Sequence, residues 1–420
     1  MSVIFYNIFL GLFRIGTVIA SLFNPKIKKW VQGRKQIFDK LQSAIPSNSN
    51  IIWMHCASVG EFEQGRPIIE SLKSNYPDYK ILLTFFSPSG FEATQNYKGA
   101  DWIFYLPLDG ANRSKKFLEI VQPQLVIFVK YEFWFYYLKK IKYRNIPLIL
   151  VSALFTKKMS FFKWYGRLQR KMLTRFDQIF VQNESSKKLL EAYGFSQLAS
   201  VSGDTRFDRV LEIASNWEPL PQIEKFIGNN KVIVAGSTWP EDENMLLKFT
   251  SQAVEKNLKL IIAPHEIDEK HLTEIKNNFS NALFYSDLNT NVKPYKESAC
   301  LIIDNIGLLS RLYKYGTINY VGGGLRTSGV HNVLEAAVFG KPVLFGPNYE
   351  KYVEAISLIE IKGGYSFAEK DEFVSITNRL LLHEDEAFEI GKKAAKYVAR
   401  QAGATPLILK YIQENLLFTK

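Results

Sequence analysis

The chain has 420 residues, 47% hydrophobic and 22% charged, which excludes a disordered protein and leaves room for two domains of roughly 200 residues. Its 53 Lys and Arg against 41 Asp and Glu give a formal net charge of +12, which suits an anionic partner. Two cysteines, Cys56 and Cys300, exclude a disulfide framework or a cysteine metal cluster, and no zinc-finger spacing, RNP-like aromatic motif or long Lys/Arg block points to nucleic acid.

Val3–Phe23 is apolar apart from Asn7, Arg14 and a few small polar residues, long enough to span a bilayer or to lie in its interface. It lacks the basic start and small-residue cleavage site of a secretory signal, so it is expected to stay attached. Pro25 ends it, and Lys26, Lys28, Lys29, Arg34 and Lys35 follow, which places the body of the protein on the cytoplasmic side of an inner membrane. Arg14 in mid-segment favours a shallow, interfacial placement, and the same residues also fit a buried first helix of the N-terminal domain.

Ile51–Cys56 reads as a strand running into Ala57-Ser58-Val59-Gly60-Glu61, followed by a helical pattern over Phe62–Lys73. Glu61 thus falls where a strand end meets a helix, the crevice position of an α/β sheet. A carboxylate there either acts as a general base or merely sits favourably at a helix N-terminus. Further strands are expected at Ile81–Phe85, Leu125–Val129, Pro147–Val151 and Gln178–Val181, with Glu132 just past the third of these five strands, in Lys130-Tyr131-Glu132-Phe133-Trp134. Glu132 is a site candidate or half of a structural ion pair. The basic, aromatic stretch 157–175 fits a lipid-facing surface or a helix packing Phe161, Phe162, Trp164 and Tyr165 inward. Val201–Asp208 closes this half and carries Arg206.

Ser215–Asn230 holds two prolines and little periodicity, so the domain boundary is expected there. Strands follow at Lys231–Ala235, Leu260–Ala263 and Cys300–Ile303. Gly236–Glu243 reads as a helix start, with Ser237 and Thr238 as caps or as donors to a phosphate. Tyr320–Pro347 is the most informative stretch: an apolar run into Gly322-Gly323-Gly324, a polar loop, a helical pattern with His331, Asn332 and Glu335 on one face, then Val343–Phe345. Glycines admit close backbone approach and a helix start offers free N–H groups, so an anion is expected on the loop while Glu335 holds a ribose. A Gly-rich turn with a merely solvated polar helix is the competing interpretation. Glu384–Leu417 is helical in pattern.

These segments resemble the GT-B glycosyltransferases, and HN-x-x-E followed by a strand and Gly-Pro is similar to the enzymes that transfer 3-deoxy-D-manno-octulosonic acid (Kdo) to lipid A precursors. WMHCASVGEFEQGRPII looks like the same family's S-V-G-E segment, whose glutamate is the catalytic base, here Glu61 with Ser58 and Gly60 on the acceptor side. The family's E-x-W glutamate, which supports the transition state, matches Glu132, and Arg206 stands where the family has a lysine before Phe-Asp. Its Pro-Arg-His nucleotide motif falls on Pro264 and His265, with Pro264 in the arginine's place. Its Met-Gly-Glu loop falls on Ile306, Gly307 and Leu308, with Leu308 replacing the glutamate. The resemblance implies CMP held by these residues and by Asn332, Val333, Leu334 and Glu335, with Ser237, Thr238, Gly323, Gly324 and His331 near the donor phosphate and sugar. It implies an inverting transfer from CMP-Kdo to a lipid A precursor, with no cofactor and no metal. A UDP-sugar transferase with another lipid acceptor is the alternative. The fold expected is α/β, two Rossmann-like domains facing across a cleft. Residues 1–24 would anchor, 25–215 and 231–400 would form the domains about a 216–230 linker, and 401–420 would brace the N-terminal domain.

Overall fold

The computed structural model describes residues 2–253, 257–289 and 298–417. Contacts divide the chain into two units, 2–208 with 402–417, and 209–401. Each is a doubly wound, wholly parallel sheet of seven strands.

In the first unit the strands are β1 Ile51–Cys56, β2 Lys80–Phe85, β3 Trp102–Tyr105, β4 Leu125–Val129, β5 Leu148–Ala153, β6 Gln178–Val181 and β7 Ala199–Val201. They lie in the order β3-β2-β1-β4-β5-β6-β7. A parallel sheet covered on both faces needs continuous apolar runs, and β1 and β4 are buried at every residue. Trp53, Phe117, Phe128 and Tyr137 fill one face, and Met54, Ile68, Ile69 and Leu72 the other. The strand order reverses between β1 and β4, where His55 pairs with Phe128. The chain segments 57–61 and 130–132 therefore leave the sheet side by side at its switch point.

The helix Val3–Ala20 lies against this unit through one face. Tyr6 donates its hydroxyl to Asp109 Oδ2 at 2.7 Å, Asn7 Oδ1 accepts from the Tyr136 hydroxyl at 2.7 Å, and the Phe13 ring meets Trp30 at 5.7 Å. The opposite face exposes Ile4, Phe5, Ile8, Phe9, Leu12 and Ile15. Among the described residues it is the one helix long and apolar enough to cross a membrane. In the stretch 157–175 the aromatic residues divide: Phe161 and Phe162 are buried, while Trp164 and Tyr165 are exposed.

The second unit holds β8 Lys231–Thr238, β9 Leu258–Pro264, β10 Leu283–Phe284, β11 Cys300–Ile302, β12 Ile318–Val321, β13 Val343–Phe345 and β14 Gly364–Ser366, in the order β10-β11-β9-β8-β12-β13-β14. Its switch point lies between β8 and β12, the strands that end in Ser237-Thr238 and in the three glycines.

Residues 216–230, expected as a linker, are folded into the second unit, which begins at 209 instead of 231. Pro221 starts a helix, Pro221–Ile227, at a position where its missing N–H is no loss, and Ile223 and Phe226 are buried. Trp217 Nε1 donates to the Arg311 carbonyl at 3.0 Å. The helical pattern from Glu384 breaks after Gln401 at Gly403, whose φ is +119°. The next helix, Ala404–Ile412, belongs to the first unit, burying Ile408 and Ile412 beside Ile68 and Leu72. Asp208 fixes that entry by accepting from Gly403 N at 2.6 Å and Thr405 N at 2.7 Å. Residues 418–420 of the expected tail lie outside the described residues.

Candidate active site

Glu61 stands in the first turn of the helix Val59–Asn75, directly past β1, with Ser58 at the N-cap and Gly60 exposed. Its carboxylate turns back on its own helix start, and Oε2 accepts from Ala57 N. The side chain is nonetheless 8% exposed, and burial, reinforced by the nearby charge of Glu132, raises its pKa from 4.5 to about 7. The Ala57 amide and Lys130 oppose that rise. A carboxylate that changes protonation near neutrality, at a sheet switch point, can take up and release a proton under working conditions.

Glu132, past β4, is buried and hydrogen-bonded at one oxygen. Oε2 accepts from Trp134 Nε1 at 2.6 Å and lies 2.7 Å from His55 Nε2. The His55 ring is fully buried, with Nδ1 at 3.0 Å from the Thr84 carbonyl and 2.9 Å from its hydroxyl, which accepts from Trp53 Nε1 at 2.8 Å. The string Trp53–Thr84–His55–Glu132–Trp134 fixes the carboxylate in one orientation. Sequence reading missed His55 and Thr84, although both sit on strands at the crevice. Nothing local marks an inward-facing strand residue as polar support.

Arg206 lies in the helix Thr205–Ser215 and pairs with Asp204, with Nε and Nη2 at 2.9 and 2.7 Å from Oδ2. Asp204 also accepts from Gln64 Nε2 at 3.1 Å, and Gln64 is one turn beyond Glu61. The guanidinium is thus tied through Asp204 to the helix that bears Glu61.

In the second unit the glycine loop is shaped by backbone packing. A Cβ at Gly324 would lie 2.7 Å from Gly346 N, one at Gly322 would lie 2.4 Å from the Ser237 carbonyl, and Gly323 has φ +86°. The Gly323 amide does not point outward: it donates to Asp242 Oδ2 at 3.1 Å, which also accepts from Trp239 N at 2.9 Å. The Tyr320 hydroxyl donates to the other oxygen of this fully buried carboxylate. Asp242, in the first turn of the helix Pro240–Ala253, is the post that holds the loop.

The expected helix over His331–Glu335 is a single turn, Leu334–Ala337, so His331 and Asn332 precede it instead of sharing its face. So short a helix offers an anion little dipole. Asn332 serves as its local cap: Oδ1 accepts from Leu334 N at 3.2 Å while Nδ2 donates to Glu335 Oε1 at 3.0 Å. Val333 and Leu334 are fully buried, so their side chains belong to the core. The Thr238 hydroxyl donates to Glu243 Oε1 at 2.9 Å, which engages it internally, and Ser237 is half-buried with φ +53°. His265 stacks on His331 with ring centres 4.2 Å apart, and its amide donates to the Thr238 carbonyl at 2.9 Å. Trp239 Nε1 donates to His331 Nε2 at 2.9 Å, leaving the His331 proton on Nδ1. Burial, with His265 beside it, lowers the His331 pKa to about 4, so this imidazole is neutral. Arg326 covers the Trp239 ring at 4.1 Å. Pro264 ends β9, and past β11 Ile306 and Gly307 are exposed ahead of Leu308. Burial, with the Glu335 charge as a lesser cause, raises the Tyr313 pKa.

A family model described as 3-deoxy-D-manno-octulosonic-acid transferase (kdotransferase) matches residues 32–209. A 3-deoxy-D-manno-octulosonic acid transferase of Aquifex aeolicus is 29% identical over 356 residues, 82% of this chain and 91% of that protein. A bifunctional glycosyltransferase/methyltransferase of Fusobacterium nucleatum is 28% identical over 369 residues, which cover 85% of this chain but only 56% of that longer protein. Among solved structures, UDP-GlcNAc 2-epimerase from Neisseria meningitidis shares the fold, with a TM-score of 0.58 at 17% identity over 87% of this chain and 100% of that one. The two switch-point sites and these likenesses point the same way: over most of its length the chain is similar to the 3-deoxy-D-manno-octulosonic acid transferases, a family of glycosyltransferases.

Proposed function

We propose that the protein transfers Kdo from CMP-Kdo to a lipid A precursor with inversion at the anomeric carbon. The observation that carries this is the buried Glu61 carboxylate, with a pKa raised to about 7, at the β1–β4 switch point. Glu61 takes the proton of an acceptor sugar hydroxyl as its oxygen attacks the anomeric carbon, and the bond to the CMP phosphate oxygen breaks with its electron pair leaving on CMP. Glu132, oriented by His55 and Trp134, and Arg206, backed by Asp204, stabilise charge as the bond breaks. Glu335, held by Asn332, accepts from the ribose hydroxyls, and the Ile306–Leu308 backbone and the His265–His331 stack line the nucleotide side. No metal or cofactor is needed for this scheme.

The N-terminal helix supports a cytoplasmic-face, interfacial placement on the inner membrane. Its docking contacts run to Phe13, so the seven helical residues beyond it cover roughly 10 Å, against about 30 Å of hydrocarbon core. The exposed stripe from Ile4 to Ile15 would lie in the membrane surface.

The test is a transfer assay with detergent-solubilised protein, fresh CMP-Kdo and tetra-acylated lipid A precursor, read by mass spectrometry. Product carrying Kdo supports donor, acceptor and reaction together. No product beside a working control enzyme rejects the assignment, and UDP-sugars would then be screened.

A further inference from the structure

At the C-terminal end of the first helix a cleft of about 410 Å³ opens within the first unit. Its lining includes five cations, Arg14, Arg34, Lys35, Arg113 and Lys116, and one carboxylate, Asp39. Arg34 is part of the wall, since its guanidinium donates to the carbonyls of Leu106 at 2.9 Å, Trp30 at 3.1 Å and Phe86 at 2.8 Å. The other four are differently placed. Among the described residues none of them forms an ion pair: Arg113 donates only to the Asp109 carbonyl at 3.2 Å, and Lys116 lies 5.0 Å from the Phe38 ring. With Asp39 as the one carboxylate in the lining, the cleft carries a net positive charge and its cations repel one another, and an anion in their midst lowers that repulsion.

Apart from Thr17 and Gln36 the rest of the lining is apolar, Val18, Val31, Trp30 and Leu108 among it. Val18 belongs to the helix whose outer stripe continues through Ile15 and Ile19, both exposed. A phosphate among the cations would therefore have hydrocarbon on one side, the arrangement at the headgroup level of a bilayer. We infer that this cleft seats the phosphate of an anionic bilayer phospholipid, with the acyl chains running along the exposed stripe of the first helix. The inference rests on the interfacial placement proposed above, and it adds a lipid site separate from the Glu61 crevice.

The experiment is flotation of the full chain with vesicles of phosphatidylcholine alone and of phosphatidylcholine with phosphatidylglycerol. The wild type should partition more strongly to the anionic vesicles, and Arg113→Gln/Lys116→Gln should weaken that partitioning about 30-fold, as expected for two surface cations. Binding to neutral vesicles, the melting temperature and transfer to a detergent-dispersed acceptor should be unchanged. Lys116→Gln alone, at an exposed position, should lose about 5-fold and guards against misfolding of the double variant. Lys157→Gln/Lys158→Gln, a control on the other basic stretch, should keep the full preference. A double variant that retains the wild-type preference, or a control pair that loses as much, overturns the site. Release from anionic vesicles by soluble sn-glycerol 3-phosphate would reassign the cleft to a free phosphate and overturn the lipid. Equal binding of the wild type to both vesicles overturns the headgroup site alone, whereas no binding to either overturns the interfacial placement itself.

Discussion

Glu61→Gln separates the cost of burying this carboxylate from its use. Carrying the pKa from 4.5 to about 7 corresponds to roughly 3 kcal/mol at about 1.4 kcal/mol per pH unit. The unfolded chain loses this proton near 4.5 and the folded chain keeps it to about 7, so between those values the folded state binds more protons and stability falls as pH rises. The penalty is absent below the lower value and complete above the upper one. Gln keeps an oxygen for the Ala57 amide but cannot ionise, so the variant's stability relative to wild type should grow by roughly 3 kcal/mol across that window. Urea unfolding of both proteins at a series of pH values measures it. The same variant should transfer about 10²- to 10⁴-fold more slowly, and wild-type kcat/KM should rise through an apparent pKa near 7. A stability difference that stays flat with pH would refute the desolvation argument, and a variant that transfers at close to the wild-type rate would refute the base.

His55→Gln should cut kcat with little change in KM, because it frees Glu132 to reorient, and should cost about 1–3 kcal/mol in denaturant unfolding. Glu335→Gln should weaken CMP binding about 10- to 100-fold by calorimetry while leaving the melting temperature near wild type, since Asn332 can still donate to the amide oxygen. Asp242→Ala leaves the Tyr320 hydroxyl and the Gly323 and Trp239 amides without their acceptor, so it should destabilise the second unit by about 3 kcal/mol and raise the KM for the donor.

The strands nearest the sites were legible in the sequence. β1, β4, β6 and β13 fall where apolar runs ended in turn residues, because a doubly covered parallel strand must be apolar throughout. The short edge strands β3, β7, β10 and β14 were not read, since two to four residues carry too little pattern. The proline-rich stretch 216–230 misled, because a proline that stops one element can start the next. Glu61 and Glu132 could be placed past strand ends from the sequence, since apolar runs that stop at turn residues mark where strands finish. What the sequence could not record is which polar groups are engaged inside the protein. Thr238 looked like a phosphate donor until Glu243 claimed it, Gly323 offered an amide that Asp242 holds, and His55 reads as one letter in a strand until folding places it against Glu132. Sequence by itself determined the parallel α/β class and the strand-end positions of Glu61 and Glu132, because both follow from local pattern. Tertiary structure alone decided how the first helix docks and what protonation state the buried carboxylates and imidazoles prefer, because those depend on groups brought together from distant parts of the chain.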